Sequence, residues 1–95
     1  MNKITREEEA MMPAFKSHAE AREWFKEKYG DDFMLTDSEI IGGQKCYFYH
    51  LILDRAVYIS FMRNPQSIIT SPAIDYLNSH QAIQIMEDGD VHIVH

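Results

Sequence analysis

The sequence predicts an α+β domain: an antiparallel sheet built from two β-hairpins, with an N-terminal amphipathic helix and a second short helix. Three observations lead there. The pair Gly42-Gly43 separates two runs of strand composition, Asp88-Gly89 separates two more near the C-terminus, and Ser17 to Gly30 has the capping and spacing of a helix. Strands and helices occur in separate groups, not in the strict alternation that builds a parallel sheet.

The helix is signalled at both ends. Ser17-His18-Ala19-Glu20 has capping-box spacing, Ala21, Trp24, Phe25 and Tyr29 share one stripe, and Gly30 stands at the C-cap. The opposite face, with Arg22, Glu23, Lys26 and Glu27, is a solvated one.

A strand from about Phe33 to Ile41, the Gly42-Gly43 turn and a strand from Gln44 to about Asp54 form the first hairpin, because a type I′ turn needs positive φ at both central residues. This turn sets Ile41 opposite Gln44, Glu39 opposite Cys46, Asp37 opposite Phe48, Leu35 opposite His50 and Phe33 opposite Ile52. The second strand is unusual. Cys46, Phe48, His50 and Ile52 fall on one face and Tyr47, Tyr49, Leu51 and Leu53 on the other, so both faces call for cover and one of them for an interface.

Residues 55–63 fit two readings. Val57, Tyr58, Phe61 and Met62 form a helical stripe behind Asp54 as N-cap, yet Val-Tyr-Ile-Ser-Phe has strand composition. Asn64 to Ser67 reads as a loop and Ile68 to Thr70 as extended. The second helix runs from Ser71 or Pro72 to about Ser79, with Ser71 as N-cap, Pro72 at the first helical position, and Ile74 and Leu77 buried. A hairpin of Ala82 to Met86 and Val91 to His95 around an Asp-Gly type I′ turn closes the chain. It pairs Ile85 with His92, Ile83 with Val94, Met86 with Val91 and Gln84 with Ile93.

Residues 1–14 read as a flexible N-terminal arm with a capping box at Thr5 to Glu8 and a stop at Pro13, and residues 15–95 as one domain. No run approaches a membrane span and no apolar stretch follows the N-terminal charges, so a cytoplasmic protein with no membrane partner is expected. The lone Cys46 rules out an intramolecular disulfide. Net charge is −6, and residues 64–95 hold no Lys or Arg against Asp75, Glu87, Asp88 and Asp90. Direct nucleic-acid binding, which needs clustered bases, is not expected.

Four constellations bear on chemistry. Cys46 and His50 share a face with Glu39 and Asp37 nearby, the inventory of a Cys-His nucleophile or metal site. Positions four apart on a strand are separated by about 13 Å, however, so a packed Cys46 and a His50 bonded to Asp37 or backbone fit better. His92 and His95 point to opposite faces and cannot chelate one ion; His92 reads as packed opposite Ile85. Glu87-Asp88-Gly89-Asp90 lacks the distal Glu of a calcium loop and reads as a solvated turn that can dock a basic partner. Tyr47, Tyr49, Tyr58 and Trp24 are residue types favoured at protein interfaces. No phosphate loop, zinc motif or nucleophile elbow is present in the sequence, and neither cofactor nor metal is expected.

Three segments, Phe15 to Asp32, Gln44 to Asp54 and Ala82 to His95, resemble short uncharacterised proteins of Bacillus and its temperate prophages. The resemblance implies a bacterial, phage- or prophage-encoded chain acting on a host protein, and it brings no catalytic or ligand residues with it. The expectation from all of this is a small acidic, non-enzymatic interaction protein that binds and modulates a protein partner, alone or as a homodimer. Tyr47, Tyr49, Tyr58, Asp75, Glu87, Asp88 and Asp90 are its candidate contacts. The alternatives are an acidic nucleic-acid mimic that inhibits a DNA-binding protein and, behind it, a small enzyme or metal binder using Cys46 and His50.

Overall fold

The computed structural model describes residues 2–63 and 72–95. Helices α1 (Arg6–Ala10), α2 (His18–Tyr29), α3 (Arg55–Arg63) and α4 (Pro72–Leu77) accompany strands β1 (Phe33–Ile41), β2 (Gln44–Ile52), β3 (His80–Met86) and β4 (Val91–Ile93). The strands form one antiparallel sheet in the order β1-β2-β3-β4, so pairing of β2 with β3 joins the two hairpins. The α+β architecture is the one the sequence predicts. The expected loop at Asn64 to Ser67, the extended Ile68 to Thr70, the Ser71 cap and the Ile74 side chain lie outside the described residues.

Helix α2 covers one face of the sheet. Ser17 Oγ accepts from the Glu20 amide at 3.2 Å, satisfying one of the free N–H groups of the first turn. Ala21 and Phe25 are fully buried, and Trp24 and Tyr29 are half-buried beside them. The Phe25 ring stacks on Phe33 at 4.8 Å and Phe33 on Tyr49 at 4.2 Å, an aromatic column bordered by Leu51, Ile83, Ile85 and Ile93.

That column depends on a bulge that corrects the expected register. The first hairpin follows the type I′ prediction from Ile41↔Gln44 through Asp37↔Phe48, with Gly42 and Gly43 at φ 58° and 82°. Beyond it, Leu35 pairs with Tyr49, Met34 with His50 and Phe33 with Leu51, because Thr36 is an extra residue in β1. Its hydroxyl donates to the Phe48 carbonyl at 3.1 Å. Without the bulge Met34 would face the core; with it the larger, stackable Phe33 does.

The second hairpin also shifts by one residue. The pairs are Ile83↔Ile93, Gln84↔His92 and Ile85↔Val91, and the Met86 amide bonds the Asp90 carbonyl while the Gly89 amide bonds that of Met86. The loop is therefore Glu87-Asp88-Gly89, with positive φ at Gly89 alone, and not a two-residue type I′ turn, which would force Asp88 to positive φ as well. The shift turns Val91 and Ile93 to the core in place of His92 and Val94, burying Ile93 and half-burying Val91. A Cβ at Gly89 would lie 2.5 Å from the Phe15 carbonyl oxygen, so the turn packs directly against the segment leading into α2.

Residues 55–63 are helical. Asp54 Oδ1 accepts from the Val57 amide at 3.2 Å, and the helix buries Tyr58. Helix α4 turns Tyr76 inward and leaves Leu77 65 % exposed, against the expectation that Leu77 is buried; a residue about 100° around the helix from Tyr76 cannot share its contact. The segment read as an arm contributes Ile4 to the core. Its amide and carbonyl bond the Gln81 side chain at 2.8 and 3.0 Å. The Thr5 capping box forms in full.

Candidate functional site

Two histidine–tyrosine clusters occupy opposite faces of the sheet. Under the N-terminus of α2, His18 Nε2 lies 2.6 Å from the Tyr49 hydroxyl while its ring stacks on Tyr47 at 3.5 Å. Burial, then the nearby Arg22 and Lys45 charges, push the His18 pKa below its ordinary value. On the other face, His50 Nδ1 lies 3.1 Å from the Tyr58 hydroxyl, and the His50 and His80 rings stack at 4.1 Å. His80 Nδ1 donates to the Tyr76 carbonyl at 3.1 Å, and Phe61 stacks on Tyr76 at 3.6 Å. Burial first and the neighbouring His80 second push His50 down to about 4, so it is neutral at neutral pH. His50 thus bonds Tyr58, not Asp37 or backbone as the sequence suggested.

This second cluster was not foreseen, because His80 and Tyr76 became its members only through the β2–β3 pairing, which no local signal announces. His80 stands opposite Ile52 and so lies diagonal to His50 on the same face.

The chemistry proposed for Cys46 finds no support in its surroundings. The side chain is 1 % exposed, and burial followed by the Glu39 charge raises its pKa, which holds it as a thiol. It lies about 13 Å along the strand from His50. Among the described residues, no group of three or more His, Cys, Asp or Glu is placed to hold a metal ion. His92 is exposed opposite Gln84, not packed opposite Ile85. His95 bonds Glu9 at 2.7 Å and ties the C-terminus to α1.

The candidate contact residues separate into three groups. Tyr49 and Tyr58 are each 1 % exposed and belong to the interior; burial raises both phenol pKa values and removes both side chains from the surface, which corrects their reading as contact residues. Tyr47 is half-buried between His18 and the Lys45 ammonium, 5.2 Å from its ring centroid. Glu87 Oε1 accepts from the Lys45 amide at 2.8 Å and Asp88 Oδ1 from the Asp90 amide at 3.0 Å, so two of the four acids help build the turn. Asp75 and Asp90 are exposed. A shallow groove of about 410 Å³ runs past Glu9, Pro13, Phe15, Asp88 and Asp90.

The surface that sequence reasoning did not single out is the outer edge of β1. The strand has nine residues and lies at the end of the sheet, and no described element pairs with it beyond β2. Leu35, Ile40 and Ile41 are 53 %, 69 % and 47 % exposed. A two-residue hairpin makes Ile41 and Gln44 a hydrogen-bonded pair, so Ile41, Glu39 and Asp37 turn their amides toward β2 while Ile40 and Ser38 turn theirs outward. The Ser38 amide is bonded to Asp37 Oδ1 at 2.8 Å, consistent with that direction.

Among the described residues no helix is long and apolar enough to cross a membrane. No family model matches the chain, and no curated protein or solved structure matches it either.

Proposed function

We propose that this chain is a small non-enzymatic interaction protein that binds another protein through the free edge of β1, adding a strand of the partner to its sheet. The observation that carries the reading is the edge from Asp37 to Ile41, which pairs regularly on the turn side of the Thr36 bulge and leaves Ile40 and Ile41 exposed at 69 % and 47 %. Sheet proteins commonly shorten, cover or bulge such edges, because unpaired N–H and C=O groups template strand addition. Strand addition gives affinity through main-chain hydrogen bonds and specificity through alternate side chains. The bulge at Thr36 limits the regular stretch to the segment from Asp37 to Ile41.

The nucleic-acid mimic has less to support it, since Glu87 and Asp88 spend carboxylate oxygens on the turn. Affinity capture of the tagged chain from a bacterial lysate, repeated with Ile40→Pro, tests the proposal. A stoichiometric partner lost with Ile40→Pro is the expected result. A partner retained by that variant would place binding elsewhere and overturn the edge reading.

A further inference from the structure

We infer that the β1 edge accepts an extended segment in which Lys or Arg alternates with apolar residues, and that it rejects a second copy of itself. The inference rests on the reading of β1 as a protein-binding edge. Asp37 and Glu39 share one face of the strand, opposite Phe48 and Cys46, and both are exposed. Leu35, Ser38 and Ile40 share the other face, opposite Tyr49, Tyr47 and Lys45. Along the regular stretch an added strand would meet Asp37 and Glu39, followed by Ile41, on one face and Ser38 and Ile40 on the other.

Among the described residues no cation is paired with those carboxylates. Between Lys28 and Lys45 the chain has no Lys or Arg but carries Asp31, Asp32, Asp37 and Glu39. Arg55 engages Asp32 at 2.6 Å, and among the described residues neither Asp37 nor Glu39 has an ion-pair partner. Adding a basic strand supplies one to each, and the Ser38 amide, now bonded to Asp37 Oδ1, is freed for the incoming carbonyl.

Charge also excludes the second copy. Antiparallel pairing of β1 with itself about a two-fold axis brings residues of the same face together. The three central registers then oppose Asp37 to Asp37, Asp37 to Glu39, or Glu39 to Glu39. Directly opposed like charges destabilise a strand pair, and in the middle register symmetry repeats the Asp37–Glu39 clash.

The test is an NMR titration of the isotope-labelled chain with two probes, the capped peptides Lys-Val-Lys-Val-Lys-Val and Glu-Val-Glu-Val-Glu-Val. The expected result is binding of the lysine probe about tenfold tighter than the glutamate probe, with the Ser38 and Ile40 amides shifted. The Asp37→Lys/Glu39→Lys double variant, whose changes lie at exposed positions, should invert the preference. Equal affinity for the probes, no binding of either, shifts confined to other elements, or dimerisation through β1 without peptide would each overturn the inference. The interaction reading fails separately. A captured partner that protects β1 through a strand without Lys or Arg leaves that reading standing and sinks this one, whereas a partner that leaves β1 unprotected sinks both.

Discussion

The two faces of the sheet use the same residue types to different ends. Under α2, one long helix and the Phe25–Phe33–Tyr49 column bury a continuous apolar layer, and the His18 cluster sits at its margin. On the opposite face two shorter helices cover the sheet with polar aromatics, and His50, Tyr58, His80 and Tyr76 are themselves the packing. A neutral imidazole can fill space in either place. On the second face two imidazoles stack on each other at 4.1 Å, so protonating either one places a charge within the cover.

The largest effect should come from the α2 face. Phe33→Ala removes the centre of the aromatic column and is expected to cost about 3–5 kcal/mol in denaturant unfolding. A loss below about 1 kcal/mol would mean that the column does not organise the core. Next is Gly89→Ala, which combines positive φ with a Cβ against the Phe15 carbonyl. About 1–3 kcal/mol is expected, seen as a lowered thermal midpoint.

The second face should respond to acid. Because the folded-state pKa of His50 is depressed from 6.5 to about 4, the unfolded chain binds the proton first. Stability is full above about pH 6.5 and falls as pH drops toward 4, by on the order of 2 kcal/mol once solvent screening of the half-exposed ring is discounted from the roughly 3 kcal/mol of the unscreened shift. His80, lowered by burial against an opposing hydrogen bond to Tyr76, adds in the same direction. In His50→Gln the slope of stability against pH over that window should flatten; an unchanged slope would remove His50 from the account. Tyr58→Phe, which deletes the hydrogen bond to His50 and keeps the ring, should cost about 1 kcal/mol at neutral pH in the same denaturant assay.

The smallest effect distinguishes the clusters by cause. Burial leads in lowering both, but the Arg22 and Lys45 charges add to it at His18, whereas His80 adds to it at His50. Raising salt should move the His18 midpoint upward toward its ordinary value in an NMR titration and leave His50 nearly unmoved.

How much of this was legible depended on the range of the signal. Ser17, Asp54 and Gly42-Gly43 act within a few residues, and the α2 boundaries and the first hairpin turn followed from them. The Thr36 bulge did not, because a Thr within a strand run reads as strand, and the choice between Phe33 and Met34 is made by Phe25 and Tyr49 across the core. Asp88-Gly89 signals two turn types equally well, and packing of Gly89 on Phe15 accompanies the three-residue one. Burial of Tyr49 and Tyr58 was similarly a matter of which elements meet. That β1 ends the sheet among the described residues is a property of strand order, which the sequence of the strand does not contain.

Whether β1 is the binding edge is decided by amide hydrogen exchange along the strand, in the free protein and in a complex isolated by affinity capture. Fast exchange at Ile40 and slow exchange at Glu39 and Ile41 are expected in the free protein, with Ile40 becoming protected in the complex. Slow exchange at Ile40 in the free protein, or an Ile40 amide that stays fast in the complex, would contradict the account of β1 as the binding edge.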